Sequence, residues 1–184
     1  MSLIVAVQHR EGWLLAADSI QLVNELRVPG PPKIDTIGSW QVGHVGGGDD
    51  SYAYLRGLIG TEELDRPSFH IDRMKWWREQ CAAMSEDSAN PVKPDLIMLF
   101  AKNKTCFSVN GPTGQLCPVE RYGAIGCAQD MALLLLYEAL GLDGRLPESG
   151  RAVAVATDVI TRVAAVDTRI ALPVFWLESA SSDV

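Results

Sequence analysis

The chain opens on Met1-Ser2-Leu3-Ile4-Val5-Ala6-Val7, and Trp13-Leu14-Leu15-Ala16-Ala17-Asp18-Ser19 follows after a short polar interval. Two apolar runs joined by Gln8-His9-Arg10-Glu11-Gly12 predict a β-hairpin that begins at the second residue. A core strand starting this early leaves little room for a flexible tail in front of it. Removal of Met1, which a small second residue generally permits, would leave Ser2 with a hydroxyl and a free α-amine on one strand end. That pair is the minimum equipment of an N-terminal nucleophile, in which Oγ attacks and the amine takes its proton.

Working outward, residues 20–32 read as polar and turn-rich and end in Pro29-Gly30-Pro31-Pro32, which excludes a regular helix or central strand there. Lys33-Ile34-Asp35-Thr36-Ile37 and Trp40-Gln41-Val42-Gly43-His44-Val45 alternate on either side of Gly38-Ser39 and predict a second hairpin. The two hairpins together are expected to begin one mostly antiparallel sheet. Gly46-Gly47-Gly48 closes the second hairpin, and Asp49-Asp50-Ser51 predicts the start of a helix through Ile59, acidic residues there complementing the helix dipole. A glycine-rich turn before a helix can hold a phosphate. Here the spacing is not Gly-x-Gly-x-x-Gly and two carboxylates would repel the anion, so close passage of another backbone, a packed strand or a bound peptide, is the preferred reading.

These pieces, taken in order, resemble a proteasome β-type subunit and the pattern of the bacterial HslV peptidase. The resemblance is carried by Ser2 with Ile4-Val5-Ala6-Val7, Ala16-Ala17-Asp18, Lys33 ahead of Ile34, the run Gly43-His44-Val45-Gly46-Gly47-Gly48, and Tyr122-Gly123-Ala124-Ile125-Gly126-Cys127. It implies an α+β four-layer αββα sandwich, the N-terminal nucleophile hydrolase fold, with two mostly antiparallel sheets between helix layers. It also implies a catalytic set of Ser2, Asp18 and Lys33, with the Gly47 amide, or that of Gly46 beside it, on the oxyanion. Cys127 and Asp167 would fall at supporting positions, and His44, Gly46 and Gly48 along the substrate groove. Two departures stand out: most of the family uses Thr where this chain has Ser2, and a supporting serine is replaced by Cys127, a weaker hydrogen-bond partner.

The rest of the chain agrees with that plan. A helix over about 71–85 carries Met74, Trp77, Cys81 and Met84 at helical spacing, a core-facing stripe. Asp95-Leu96-Ile97-Met98-Leu99-Phe100-Ala101 predicts a buried strand, and residues 105–109 and 115–119 a third hairpin, supplying the second sheet. The segment 128–140 is apolar nearly all round, so it needs cover on two sides, and a second subunit is the natural second cover. A helix over about 151–165 with Val153, Ala156, Ile160 and Val163 on one stripe, and a strand at Pro173-Val174-Phe175-Trp176-Leu177, complete the order.

Composition narrows the function classes. At 184 residues the chain is expected to be one domain, 1–184, and its 23 acidic against 16 basic residues argue against nucleic-acid or anionic-membrane binding. Cys81, Cys106, Cys117 and Cys127 are widely spaced, which disfavours zinc and suits free buried thiols in a reducing cytosol. No metal or organic cofactor is called for. Cys127 is a poor candidate for an independent nucleophile, since neither His9, His44 nor His70 is an obvious partner, and His44 reads equally as a buried structural imidazole. No secretory signal is visible, and a cytoplasmic location is expected. The leading expectation is a peptidase assembled from identical subunits into a ring, with an ATP-dependent unfoldase as further partner and peptide or unfolded protein as substrate. The alternatives are a silent proteasome-like structural subunit and a small-substrate amidase of the same fold.

Overall fold

A computed structural model describes residues 2–23, 26–30, 33–46, 56, 79, 96–110, 113, 115–141 and 145–178. The elements are β1 (Leu3–His9), β2 (Gly12–Ala17), β3 (Ile20–Val23), β4 (Leu26–Pro29), β5 (Ile34–Ile37), β6 (Trp40–Val45), β7 (Ile97–Lys102), β8 (Thr105–Asn110), β9 (Gln115–Pro118) and β10 (Tyr122–Gly126). Helices α1 (Gln129–Leu140) and α2 (Ser149–Val166) and a last strand, β11 (Phe175–Glu178), follow. One sheet has the order β10-β1-β2-β11 and a second the order β5-β6-β7-β8-β9, all pairs antiparallel.

The apolar run of β1 has no polar alternation because both of its faces are covered. Leu3, Val5 and Val7 face the two helices, in one cluster with Ala132, Leu136, Ala156, Ile160 and Val163. Ile4 and Ala6 face the second sheet, in another cluster with Ile34, Val45, Leu99 and Ala101. Gly43 permits this approach: a Cβ there would stand 3.0 Å from Ile4 Cδ1. The far face of the second sheet is buried too, with Trp40, Val42, Met98, Phe100 and Phe107 together. Phe100 stacks on Phe107 at 5.1 Å between centroids, and Trp40 meets Phe107 edge-on at 5.6 Å. The helices expected over 49–59 and 71–85 lie outside the described residues.

Three expectations need correction. The two N-terminal hairpins do not share a sheet: β1 and β2 are flanked by β10 and β11, whereas β6 pairs with β7, Val42 opposite Phe100, so the second hairpin joins the second sheet. The span 20–32 is not only turn: β3 and β4 form a two-stranded ribbon, Ile20 opposite Pro29, and a ribbon with only edge strands accepts a proline. The buried stripe of α2 runs through Ala152, Ala156, Val159, Ile160 and Val163, with Val153 at its border. On α1, Ala132, Leu135 and Leu136 are buried, while Leu134 and Tyr137 are 58% and 47% exposed, so the helix is covered on one side only. No described helix is long and apolar enough to cross a membrane.

Removing the stacked ring in Phe100→Ala leaves a void between Trp40 and Phe107. The expected loss of unfolding free energy is about 3–5 kcal/mol, read from urea midpoints at constant slope, and an unshifted midpoint would contradict this packing.

Candidate active site

Residue 2 is held from behind by the end of β10. The Ser2 carbonyl oxygen accepts the Cys127 amide at 2.9 Å and the Cys127 Sγ–H at 3.3 Å. Gly126, with φ of 105°, makes the contact possible, because a Cβ there would overlap the Ser2 carbonyl oxygen. The first residue of β1 is held from the side by Asp18, which follows β2. The Asp18 amide donates to the Leu3 carbonyl at 3.2 Å, and Asp18 Oδ1 accepts the Leu3 amide at 2.9 Å.

The same Oδ1 accepts Lys33 Nζ at 2.7 Å, and the two side chains are 0% and 8% exposed. Burial lowers the Lys33 pKa, and the hydrogen bond and charge of Asp18 oppose that shift without cancelling it. Lys33 is anchored through its backbone as well, its carbonyl accepting the His44 amide at 3.0 Å. Asp18 and Lys33, 15 positions apart, are thus one buried ion pair fastened to the amide next to Ser2.

In front of Ser2 lies a cavity of about 550 Å³, walled by Ser2, Gly46, Gly126, Cys127, Gln129 and Asp130 among others. Gly46 is exposed with φ of 73°, a conformation that favours glycine. Gly47 and Gly48 lie outside the described residues. His44 does not border the cavity: it is 8% exposed, and strand alternation puts it on the face of Trp40 and Val42, opposite Val45, which does line the cavity.

Cys127 is half-buried, and its thiol pKa is raised by that burial and further by the Asp167 and Asp18 charges, while Arg169 opposes. Of the other cysteines, Cys106 is buried with its thiol pushed well up by desolvation, Cys117 is exposed, and Cys81 lies outside the described residues. The expectation of buried thiols therefore fails at Cys117, which ends in solvent on edge strand β9. Asp167 terminates α2, its amide donating to the Val163 carbonyl at 2.7 Å, and its carboxylate is bracketed by Arg169. Arg169 was not singled out in the sequence. The available signal was an acidic residue closing a helix with a guanidinium two positions on, the spacing of a local chelate. Gln129 and Asp130, the first residues of α1, border the cavity without any distinctive motif.

This arrangement is an α+β sandwich of two antiparallel sheets, with α1 and α2 packed on the first, consistent with the fold of HslV. Among solved structures, the chain is similar to BPH of Thiobacillus denitrificans in complex with epoxomicin, with a TM-score of 0.73 and 19% identity over 98% of this chain and 99% of that one. It is also similar to the Anbu complex of Pseudomonas aeruginosa, a helical assembly, with a TM-score of 0.71 and 14% identity over 97% and 83% of the two chains. HslV of Trypanosoma brucei follows, with a TM-score of 0.67 and 16% identity over 96% and 99%. No protein-family model matches the sequence, and neither does any curated protein sequence. At these identities the likeness is one of fold.

Two measurements probe the local geometry. Lys33→Met strands the buried Asp18 carboxylate and is expected to destabilise the fold by about 3–5 kcal/mol, whereas Asp18→Asn combined with Lys33→Met recovers part of the loss; equal losses in both variants would deny the pairing. Iodoacetamide at pH 7.5, followed by peptide mass mapping, is expected to modify Cys117 first, Cys127 slowly and Cys106 only on unfolding. Rapid modification of Cys106 in the native protein would contradict its burial.

Proposed function

We propose that this chain is an N-terminal nucleophile peptidase of the proteasome β and HslV kind, acting through Ser2 once Met1 is removed. The observation that carries the reading is the buried Asp18–Lys33 pair fastened to the Leu3 amide, one residue from the nucleophile, behind a cavity that Ser2 borders. A free α-amine has a pKa near roughly 8, so part of it is neutral at neutral pH and can accept the Ser2 Oγ proton. The Lys33 ammonium, held by Asp18, favours that neutral form by like charge.

In the proposed reaction Oγ attacks the scissile carbonyl as its proton passes to the Ser2 amine. The Gly47 amide, with Gly46 beside it, holds the oxyanion of the tetrahedral intermediate. Collapse expels the amine half of the peptide, which leaves with the proton carried by the Ser2 ammonium. Water, deprotonated by the regenerated amine, then attacks the ester and frees the acid half and Oγ. Cys127 and Asp167 are supporting residues: the Cys127 amide and thiol fix the Ser2 carbonyl, and Asp167 closes α2, its charge acting on the Cys127 thiol. Gly46 and Gly48 would flank the substrate backbone.

Assembly is part of the proposal. Leu134 and Tyr137 are exposed on α1 and suit contact with an identical subunit in a ring, and the similar folds include an assembled Anbu complex and HslV. An ATP-dependent unfoldase feeding unfolded protein to a cytoplasmic chamber is the corresponding partner.

The test compares wild type with Ser2→Ala on fluorogenic peptides and small acyl-amides, with the N-terminal mass recorded for each. Wild type is expected to begin at Ser2 and cleave peptides. Ser2→Ala is expected to lose at least about a thousandfold, since removal of a nucleophile typically costs that much, while keeping its native-mass assembly. Epoxomicin, bound by the BPH structure, is expected to inhibit the wild type. An intact Met1 with unchanged activity in Ser2→Ala would overturn the proposal; assembly with no hydrolysis would point to a silent subunit, and acyl-amide cleavage alone to an amidase.

A further inference from the structure

The cavity in front of Ser2 carries a charge that the proposed chemistry does not use. Among its described lining residues the only charged side chain is that of Asp130, while Val45, Ile97 and Ala128 give the wall an apolar stretch. Asp130 is exposed in the first turn of α1, and among the described residues none pairs with its carboxylate. An acid there complements the helix dipole. The dipole would be served by an acid on any side of that turn, whereas this one stands on the cavity rim.

The start of α1 is tied to the nucleophile through a short stretch of backbone. The Cys127 amide donates to the Ser2 carbonyl at 2.9 Å, and on either side of it Gly126 and Ala128 have φ of 105° and 56°. Two left-handed residues flanking one bonded amide turn the chain from β10 into α1, and a residue with a side chain keeps such a φ only where its surroundings impose it. The Ala132 amide then closes the first turn on the Ala128 carbonyl at 3.0 Å. Side chains on a helix lean toward its N-terminus, so the Asp130 carboxylate leans back toward this turn and the cavity.

We propose that Asp130 is a specificity-determining residue of the peptide site, selecting substrates that carry lysine or arginine beside the bond that is cleaved. The proposal rests on the reading of the cavity as the place where peptide meets Ser2. A long cationic side chain fits both features of the wall: its methylene stem lies along Val45, Ile97 and Ala128, and its charged end reaches Asp130. A neutral apolar side chain leaves the carboxylate in water without gain, and an acidic one is repelled. Lys33 does not compete for Asp130, since Asp18 holds it at 2.7 Å. The net charge of -7 draws basic peptides in general, but screening confines that attraction to about 8–10 Å at ordinary ionic strength. Discrimination at one substrate position therefore needs a carboxylate close by.

The experiment uses the full, Met1-processed chain as wild type, Asp130→Asn, Asp130→Lys and Glu120→Gln. Glu120 is the charge control: it is exposed before β10, whose register puts Tyr122 opposite Val7 and Gly126 opposite Leu3, so it lies at the other end of that strand from the cavity. Internally quenched peptides that differ only in lysine, norleucine or glutamate at one position, scanned along both sides of the cleaved bond, give kcat/KM. Fluorescence anisotropy of dye-labelled versions, on each chain with Ser2→Ala added, gives affinity without cleavage. Wild type is expected to favour lysine over norleucine by about fivefold at the responsive position, the upper range for a solvent-exposed ion pair. The preference is expected mainly in KM, with glutamate least favoured, and is expected to shrink between about 50 and about 500 mM salt. Asp130→Asn is expected to level the lysine and norleucine peptides, Asp130→Lys to favour glutamate, and Glu120→Gln to keep the wild-type ratio. A lysine preference that survives in Asp130→Asn, an equal fall in Glu120→Gln, equal affinity for all three peptides, or no binding of any peptide would overturn the proposal. Hydrolysis that survives Ser2→Ala would instead overturn the peptidase reading alone, because the affinity arm reads Asp130 without bond cleavage.

Discussion

A carboxylate with two jobs underlies the candidate site. Asp18 Oδ1 accepts both Lys33 Nζ and the Leu3 amide, so one buried oxygen joins the second hairpin to the first residue of the first strand. Burying two charges is costly unless each is paired and further hydrogen-bonded. That requirement makes the link directional: Lys33 cannot turn toward solvent without stranding Asp18, and Asp18 cannot leave without freeing the Leu3 amide. The strand end that carries Ser2 is thereby fixed from one side, while the Cys127 amide and thiol fix the Ser2 carbonyl from the other.

Two packing constraints make room for this pairing. Covering β1 on both faces needs helices on one side and the second sheet on the other, and the sheets come close at Gly43, where a Cβ would stand 3.0 Å from Ile4 Cδ1. Gly126 plays the same part at the site itself, where its φ of 105° and missing side chain admit the Ser2 carbonyl. The core and the cavity therefore share a single strand. Leu3, Val5 and Val7 carry the packing on the helical face, and Ser2, just before the strand, borders the cavity.

Much of this was legible in the residues, and the parts that were not have identifiable reasons. Continuous apolar runs at 3–7, 13–17 and 97–101 marked strands covered on both faces, because few other environments accept them. The fold class followed from the order of the strands and of four expected helices, together with the family resemblance. Sheet membership did not, since local patterning specifies a hairpin but not which neighbours flank it; the long-range pairings of β1 with β10, β2 with β11 and β6 with β7 separate the first hairpin from the second. The ribbon of β3 and β4 was hidden by its prolines, which forbid a central strand but not an edge. At the candidate site, Asp18 and Lys33 carried a recognisable order, whereas Gln129 and Asp130 did not: they border the cavity only because α1 starts there, and no motif marks them.

The charge arrangement connects these levels. The chain carries a net charge of -7, and an acidic field acting on an amine would hold it protonated and unable to serve as a base. Next to Ser2 one buried pair meets that bias: Asp18 faces Lys33 at 2.7 Å, and burial raises the pKa of the Cys127 thiol, away from an ionised form that would add a further negative charge. Coulomb interactions through a buried site fall off less steeply than through water, so a near pair counts for more than a distant surface acid. Under the proposed mechanism, the Lys33 charge held beside the strand end that carries Ser2 is therefore a condition for catalysis. Asp18 and Lys33 come from separate hairpins and meet only when the two sheets have closed on one another.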